Sequence, residues 1–240
     1  MAASNKTRNL IRRYFEQQKE LFGNTLWIDR KTEIQKQENI FDKEASKSKP
    51  WQSINDLEEF YHAIKDCQKC PLGATRTNFV FGVGNPDADL LFIGEAPGRD
   101  EDLQGEPFVG RAGQLLDRIL HAIDLDRSEV YIGNLLKCRP PNNRDPQPGE
   151  IASCEPYLIH QIKLIDPVLI VALGRVAGQT LLRTTESLGE LRGKVHDYHG
   201  IDLMVTYHPA ALLRSERFKR PTWEDMQEIK KLYLSNVQKK

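Results

Sequence analysis

The sequence predicts an α/β fold, a three-layer sandwich in which a mainly parallel central sheet is flanked by helices. Two observations lead to this prediction. Short apolar runs alternate along the chain with longer segments whose apolar residues recur at helical spacing. The runs are apolar at successive positions, as expected for strands that helices cover on both faces of a sheet.

The predicted elements follow one another in a regular order. Strands are predicted at residues 89–94, 129–134, 167–174 and 203–207. Helices are predicted from residue 53 to the first cysteines and at residues 113–123, 151–165, 175–182 and 223–237. Because ligands of such sheets bind at the carboxyl ends of the strands, the residues that follow each strand are the first candidates for a functional site.

Residues 1–50 differ in composition from the remainder of the chain. An apolar stripe of helical spacing within residues 10–22 is followed by a polar and charged stretch at residues 29–50. We therefore expect an N-terminal extension with a polar linker at residues 1–50 and one globular domain at residues 51–240. The composition favours a dispensable arm over a helix that binds an unknown partner.

Charge and hydropathy restrict the kind of partner. The 240-residue chain has 34 lysines and arginines and 34 aspartates and glutamates, so its formal net charge is zero. A nucleic-acid partner would therefore depend on local basic patches. No apolar run approaches the roughly 20 residues of a membrane-spanning helix, and residues 1–23 lack the apolar segment of a secretory signal. We expect a cytoplasmic protein without a membrane partner.

The four cysteines have a spacing that is typical of a metal or cluster site. Cys67 and Cys70 form a C-x2-C pair, and Cys138 and Cys154 follow far downstream. Four thiolates suit either a structural zinc ion or a [4Fe–4S] cluster, and the spacing alone leaves both open. Unrelated buried cysteines are a third interpretation. Disulfides are the least favoured, because nothing marks the chain as secreted.

Several residues at the predicted strand ends have the chemistry of a binding site. Glu95 lies in the turn Gly-Glu-Ala-Pro-Gly, which is neither a dinucleotide-binding fingerprint nor a P-loop. Asn134 ends the second strand, and its amide can donate and accept at once, as reading the edge of a base requires. His208 begins a His-Pro turn after the last strand. Each residue could instead be a turn residue, a helix cap or an ordinary satisfied side chain.

Four motifs together resemble those of the family-4 uracil-DNA glycosylases. They read GEAPGRDED at residues 94–102, PFVGRAG at 107–113, NLLKCRPPNNR at 134–144 and HPAALLR at 208–214. The resemblance covers about residues 63–236 and leaves out the first 50. It implies that residues 51–240 are a uracil-DNA glycosylase domain. Such an enzyme flips deoxyuridine out of DNA, hydrolyses the N-glycosidic bond and leaves an abasic site for base excision repair.

The resemblance also implies roles for the residues of the pocket. Phe108 would stack on uracil, Asn134 would read N3–H and O4, and His208 would donate to O2, where negative charge builds as the bond breaks. Glu101 would lie near C5 and exclude the methyl group of thymine. The implied catalytic residues are His208 and Glu95. The implied substrate-binding residues are Glu95, Ala96, Gly98, Glu101, Phe108, Asn134 and His208.

Ala96 marks a departure from the best-known uracil-DNA glycosylases. Those enzymes have an aspartate at this position of the first motif, where it positions the attacking water, whereas family 4 generally has a small residue. The group that activates water is therefore left open between Glu95 and the backbone.

A cofactor and a DNA-binding face are further implications of the resemblance. Cys67, Cys70, Cys138 and Cys154 would hold a [4Fe–4S] cluster that fixes the 137–144 loop for DNA. Basic side chains of that loop, and of a second basic stretch at residues 214–220, would contact phosphates. The expected phosphate contacts are Lys137, Arg139, Arg144 and Arg214.

The expected partner is uracil-containing DNA, single- or double-stranded, bound by a monomer. Leu212 or Leu213 would fill the gap that the flipped base leaves, or both would belong to the core. One alternative is a non-catalytic or covalently trapping DNA-damage-binding relative of the same fold. Trapping relatives carry an added Arg-Arg-Ile-His loop, which this sequence lacks. The other alternative is a metal-stabilised interaction module without enzymatic activity.

Overall fold

The computed structural model describes residues 50–239, which contain a six-stranded sheet. The strands are β1 Val83–Gly84, β2 Leu90–Gly94, β3 Tyr131–Asn134, β4 Leu169–Leu173, β5 Val195–Tyr198 and β6 Ile201–Thr206. Their order across the sheet is β1-β3-β2-β4-β6-β5. The four inner strands are parallel, whereas β1 and β5 pair antiparallel at the two edges. The predicted α/β fold with a mainly parallel sheet is confirmed.

Helices surround this sheet. They are α1 Leu57–Ile64, α2 Leu72–Thr75, α3 Arg99–Gln104, α4 Arg111–Ala122, α5 Pro148–Ile165, α6 Arg175–Leu181, α7 Leu188–Leu191, α8 Pro209–Arg214 and α9 Lys219–Val237. Short 3₁₀ turns lie at Pro50–Ser53, Pro141–Asn143 and Glu216–Phe218. None of the helices within residues 50–239 combines the length and the apolar character that a bilayer crossing requires.

The central strands are buried because their alternating side chains enter two different cores. Along β2, Leu91 and Ile93 pack on one face with Ile162 of α5. Phe92 packs on the other face with Leu116 of α4, in the core that also contains residues of α9. Both faces of β2 and β4 are therefore covered, which explains the continuous apolar runs of the sequence.

The topology creates a crevice at one edge of the sheet. β2 lies between β3 and β4. The chain moves from β2 to β3 on one side through α3 and α4, and it reaches β4 on the opposite side of β2 through α5. Such a reversal opens a ligand crevice at the carboxyl ends of the strands. Gly94, Asn134, Leu173 and Thr206 end the parallel strands there.

A third core contains the cysteines. The segment before the sheet contributes Trp51 and Phe60, which pack together with Tyr157 of α5. Cys138 and Cys154 are buried in the same core, and Cys67 and Cys70 pack against it. His160 Nε2 lies 2.9 Å from the carbonyl oxygen of Ile54 and links this segment to α5. The cysteines therefore join the segment before the sheet to the loop after β3 and to α5.

The predicted elements are present with shifted ends. Every predicted strand begins and ends within two residues of the observed strand. The first helix begins at Leu57, because Asp56 caps it by accepting the backbone N–H of Glu59 at 2.8 Å. The helix predicted at 151–165 begins at Pro148, a residue favoured in the first helical turn. The predicted extension at residues 1–50 lies outside the described residues except for its last position.

Candidate active site

A cavity of about 770 Å³ opens at the carboxyl edge of the sheet. Its lining includes residues from all four sequence motifs, among them Glu95, Phe108, Asn134, His208 and Arg214. Ala96, Gly98 and Glu101 also lie in its wall. The fold therefore brings together the base-contacting residues that the sequence predicts, although Glu95 and His208 are more than a hundred positions apart in the chain.

Gly94 gives two cavity-lining side chains room to approach the sheet. A β-carbon at this position would lie 2.3 Å from Asn134 Oδ1 and 2.7 Å from the ring of Phe108. Both distances are far below van der Waals contact, so only glycine lets the two side chains approach the backbone of β2 here. The pocket therefore requires that the last residue of β2 has no β-carbon.

The Phe108 ring is set by an unusual backbone. Phe108 has a φ of 54°, in the left-handed region, and its side chain is buried. A β-carbon on Gly113 of α4 would lie 1.7 Å from the Phe108 carbonyl oxygen, so the loop rests directly on the helix. The Phe108 and His208 rings stack with centroids 5.4 Å apart and an interplanar angle of 29°.

Asn134 carries an unpaired acceptor. Its side chain is buried, and within residues 50–239 its Oδ1 is the one buried side-chain nitrogen or oxygen that has no hydrogen-bond partner. Burying an amide oxygen without a donor costs on the order of 1–3 kcal/mol. A group that is left unsatisfied next to a cavity is suited to a ligand that brings the missing donor.

His208 is held as a neutral imidazole whose free nitrogen is a donor. Its Nδ1 accepts the backbone N–H of Ala210 at 3.1 Å, which caps α8. The proton of the neutral ring is therefore on Nε2. Burial and, to a smaller extent, the positive charge of Arg214 lower the pKa of His208 to about 4. At neutral pH the ring carries no charge, and its Nε2–H can donate a hydrogen bond.

Glu101 connects the two loops of the pocket. One carboxylate oxygen accepts the N–H of Gly98 at 3.1 Å, and the other accepts the N–H groups of Val109 and Gly110 at 3.0 and 2.9 Å. These bonds tie the first motif to the loop that carries Phe108. Glu101 lines the cavity, but its carboxylate is committed to the backbone, so it shapes the pocket through the loops it holds.

Glu95 is an acidic group with a raised pKa. The pKa of Glu95 is raised to about 6, because burial and the negative charge of Asp145 raise it more than the positive charge of Arg175 lowers it. Asp145 Oδ2 and Arg175 Nη2 form an ion pair of 3.0 Å, and both residues line the cavity. At neutral pH Glu95 is mostly ionised and can accept a proton from a water molecule.

The structure corrects the predicted set of DNA contacts at Lys137. Its side chain is fully buried, with 0 % exposed, and Nζ donates to the backbone oxygen of Asn134 at 3.0 Å. It cannot reach a phosphate, so the prediction of a DNA contact is wrong for this residue. The sequence signal was misleading because Lys137 shares one basic motif with Arg139 and Arg144.

The three predicted arginines are at or near the cavity mouth. Arg214 is exposed and lines the cavity. Arg144 also lines it, but its guanidinium makes two hydrogen bonds to Glu150, of 2.9 and 2.6 Å. Arg139 Nε donates to Asn143 Oδ1 at 2.7 Å. Arg144 and Arg139 thus order the loop after β3, and their contact with phosphates stays a prediction.

The two leucines after His208 differ in exposure, and the gap-filling role stays a prediction. Leu212 is buried in the protein, whereas Leu213 is 41 % exposed. Leu213 is therefore the side chain available to enter a gap in the DNA stack.

Sequence reasoning missed two further cavity residues, Tyr207 and Phe218, whose rings stack with centroids 4.5 Å apart. Their separation in sequence gave no signal of this contact.

The four cysteines are free thiols that lie in one region. Hydrogen-bond donors face two of the sulfur atoms. Arg76 Nη1 lies 3.3 Å from Cys138 Sγ, and the backbone N–H of Lys69 and the hydroxyl of Tyr157 each lie 3.5 Å from Cys67 Sγ. Burial raises the pKa of Cys154 to about 12. Within residues 50–239, no three His, Cys, Asp or Glu side chains converge on a point where they could hold one metal ion.

Comparison with known proteins agrees with this geometry. Residues 81–227 match the uracil DNA glycosylase superfamily. A type-4 uracil-DNA glycosylase of Archaeoglobus fulgidus is 44% identical over 75% of this chain and 94% of its own length. The corresponding enzyme of Saccharolobus solfataricus is 44% identical over 76% of this chain and 88% of its own. The chain belongs to the type-4 uracil-DNA glycosylases.

A third type-4 relative leads to the same family. A type-4 uracil-DNA glycosylase of Thermotoga maritima is 44% identical over 70% of this chain and 89% of its own length. The matched superfamily region of this type-4 chain begins at residue 81, after Cys67 and Cys70. The two upstream cysteines therefore lie outside the part that the superfamily shares.

Proposed function

We propose that the cavity at the carboxyl edge of the sheet binds an extrahelical uracil and that its residues hydrolyse the N-glycosidic bond. The type-4 relatives support uracil excision from DNA, the reaction that begins base excision repair. The glycosidic bond is inaccessible inside a stacked duplex, so the nucleotide must be rotated out of the helix first. The cavity has the size and the polar lining that a flipped pyrimidine nucleotide needs.

The unpaired Oδ1 of Asn134 is the observation that carries this proposal. Uracil has a donor at N3–H, whereas the corresponding nitrogen of cytosine is an acceptor. Uracil would satisfy Asn134 Oδ1, and cytosine would leave it buried and unpaired. Sites of this kind can discriminate strongly, because the wrong ligand leaves polar groups without partners. Phe108 supplies an apolar face against which the base can stack.

His208 is proposed to stabilise the leaving group. When the bond between C1′ of the sugar and N1 of the base breaks, its electron pair stays on uracil and spreads onto O2. The Nε2–H group of His208 would donate to that oxygen. A neutral donor keeps its proton, so it stabilises the uracil anion without neutralising it. Preorganised donors of this type typically contribute about 10²–10³ in rate.

Glu95 is proposed to act as the general base for the water that attacks C1′. The oxygen of water forms the new bond to C1′, and one of its protons passes to the Glu95 carboxylate. The raised pKa of about 6 places Glu95 close to the range in which a general base is most effective. Ala96, at the usual aspartate position, contributes no acid–base group, which leaves this role to Glu95.

A [4Fe–4S] cluster is proposed for the four cysteines. Their common core, their free thiols and the donors that face Cys67 and Cys138 support it. Each thiolate of such a cluster binds a different iron, so the four sulfur atoms need not converge on one point. A zinc ion would require that convergence. The cluster would hold the loop after β3 against α5, because its iron–thiolate bonds would cross-link the segments that carry the cysteines.

The sequence supports the remaining features of the proposal. We infer that uracil-containing DNA is bound by a cytoplasmic monomer, with Arg139, Arg144 and Arg214 near the phosphates. Residues 1–50 would be a separate arm. Nothing in the comparisons favours a non-catalytic or covalently trapping relative.

The proposal is tested by incubating the protein with an oligonucleotide that contains one uracil and treating the product with alkali. Strand cleavage at the uracil position is expected, with free uracil released and no protein attached to the DNA. Asn134→Ala is expected to abolish most of this activity. Equal activity of the variant and the wild type would show that uracil is removed without the proposed reader, and a protein–DNA adduct would identify a trapping relative.

A further inference from the structure

Lys137 is a fully buried lysine that is not at the DNA surface. Its side chain is 0 % exposed, and Nζ donates to the backbone oxygen of Asn134 at 3.0 Å. Lysines are rarely buried completely unless a partner compensates for the lost hydration. A contact of this kind therefore indicates a specific role for the residue.

The contact satisfies the backbone where it leaves the sheet. Beyond Asn134, the N–H groups of Leu135 and Leu136 still bond to the carbonyl oxygens of Gly94 and Glu95. The carbonyl group of Asn134 is turned toward Lys137 instead. A buried carbonyl without a donor costs on the order of 1–3 kcal/mol, so Lys137 stabilises this turn of the chain.

The other neighbours of the Lys137 ammonium group belong to the cysteine region. Within residues 50–239, the ionisable groups that act on it are the thiols of Cys138 and Cys154. Cys138 follows Lys137 directly in the chain, and Cys154 of α5 is buried in the same core as Cys138. Lys137 therefore adjoins a buried cysteine in the chain and holds the backbone of Asn134 through its side chain.

If Asn134 reads the base, its position must be accurate to about 1 Å. Its Oδ1 has no partner in the protein and lies directly above Gly94, where a β-carbon would be only 2.3 Å away. The direction of the side chain depends on its backbone, which Lys137 holds at the carbonyl. Displacements of about 1 Å in a site that positions a substrate can reduce rates on the order of 10²-fold.

We propose that Lys137 is a positioning residue that links the cysteine site to base reading by holding the backbone of Asn134. This inference rests on the proposed role of Asn134 as the reader of uracil. It assigns the cysteine region a function in the pocket itself, in addition to ordering the loop after β3. DNA affinity should be largely independent of this contact, because phosphate contacts come from surface residues.

The test is Lys137→Met, which keeps most of the side-chain volume and removes the donor. The control is Lys163→Met, the same change at an exposed position of α5. Iron content, visible absorbance, the Kd for uracil-containing DNA, the single-turnover rate and the inhibition constant of free uracil are measured for both variants. For Lys137→Met we expect at least a tenfold lower rate and a similarly weaker inhibition by uracil, at wild-type iron content and DNA affinity. Lys163→Met should match the wild type in all five.

Three results would overturn the inference. One is a Lys137→Met protein with wild-type rate and uracil inhibition. Another is a Lys137→Met protein that loses part of its iron, while the molecules that retain iron react at the wild-type rate. This result would make Lys137 a purely structural residue. The third is weaker DNA binding with normal cleavage of bound DNA. If Lys137→Met is insoluble, Lys137→Gln is measured in the same way. We then expect an at least threefold lower single-turnover rate and an at least threefold weaker inhibition by uracil.

Asn134→Ala, measured in parallel, separates this inference from the proposed function. If Asn134→Ala loses activity and Lys137→Met does not, only the positioning role is wrong. If Asn134→Ala excises uracil at the wild-type rate, the reading role on which the inference rests is wrong.

Discussion

Gly94 and Asn134 are paired across the parallel strands β2 and β3, and the missing side chain of Gly94 leaves room for the Asn134 amide. The same space admits the edge of the Phe108 ring. The pocket therefore depends on a backbone position that carries no functional group of its own.

Gly94→Ala is expected to close the base pocket. The added methyl group would lie 2.3 Å from Asn134 Oδ1, so the amide must move or the strands must separate. We expect a loss on the order of 10²-fold in single-turnover uracil release. The control is Gly149→Ala, where a β-carbon meets nothing within 4 Å and a helix favours alanine by up to roughly 1 kcal/mol. Equal activity of both variants would contradict the close approach.

His208→Ala is expected to reduce the chemical step by about 10²–10³-fold, because one preorganised donor to a developing anion is removed. The Kd for DNA should change little. Single-turnover kinetics and a binding isotherm on one oligonucleotide separate the two effects. His62→Ala, at an exposed histidine of α1, is the control. Weaker binding with a normal rate once bound would identify His208 as a DNA contact instead.

The rate of uracil release is expected to rise with pH through about 6, as Glu95 ionises. Asp145→Asn should move this rise to lower pH, because the negative charge that raises the pKa of Glu95 is removed. Arg175→Met should move it to higher pH for the opposite reason. His208, with a pKa of about 4, should add no transition between pH 5 and 8. A rise that neither substitution moves would exclude Glu95 as its origin.

The purified protein is expected to be brown when it is handled without oxygen, with about four iron and four sulfide per chain. Cys154→Ser should lower the iron content and the melting temperature, because a ligand in the third core is lost. Metal analysis and thermal unfolding measure both. Stoichiometric zinc without iron, in protein produced anaerobically with ample iron, would contradict the cluster.

The sequence predicted the parallel strands because their side chains are buried on both faces, which leaves continuous apolar runs such as residues 169–173. It did not predict the edge strands. β1 has only two residues, and in β5 Val195 is 53 % exposed, so neither has a distinct pattern. Strand ends were predictable within two residues because glycines and polar residues mark them.

The site residues were predicted from the motifs, whereas their interactions depend on tertiary structure. Lys137 was expected at the surface because lysine usually is, yet the turn after β3 directs it inward to Asn134. Glu101 was expected to lie near C5 of the base, and the three backbone N–H groups that bond to its carboxylate had no signal in the sequence. The ion pair of Asp145 and Arg175 joins two distant segments, so no local sequence pattern could predict it.

The base specificity of Asn134→Asp tests the central claim most directly. An ionised aspartate cannot donate to O4 of uracil, but it can accept from the amino group of cytosine, and in its protonated form it can donate to cytosine N3. Single-turnover release is measured on matched oligonucleotides that contain one uracil or one target cytosine, with Asn134→Ala as the control. We expect Asn134→Asp to lose uracil release and gain cytosine release. Asn134→Ala should lose uracil release without gaining cytosine release. Unchanged uracil release by Asn134→Asp would contradict the account, because the base would then be read by another group.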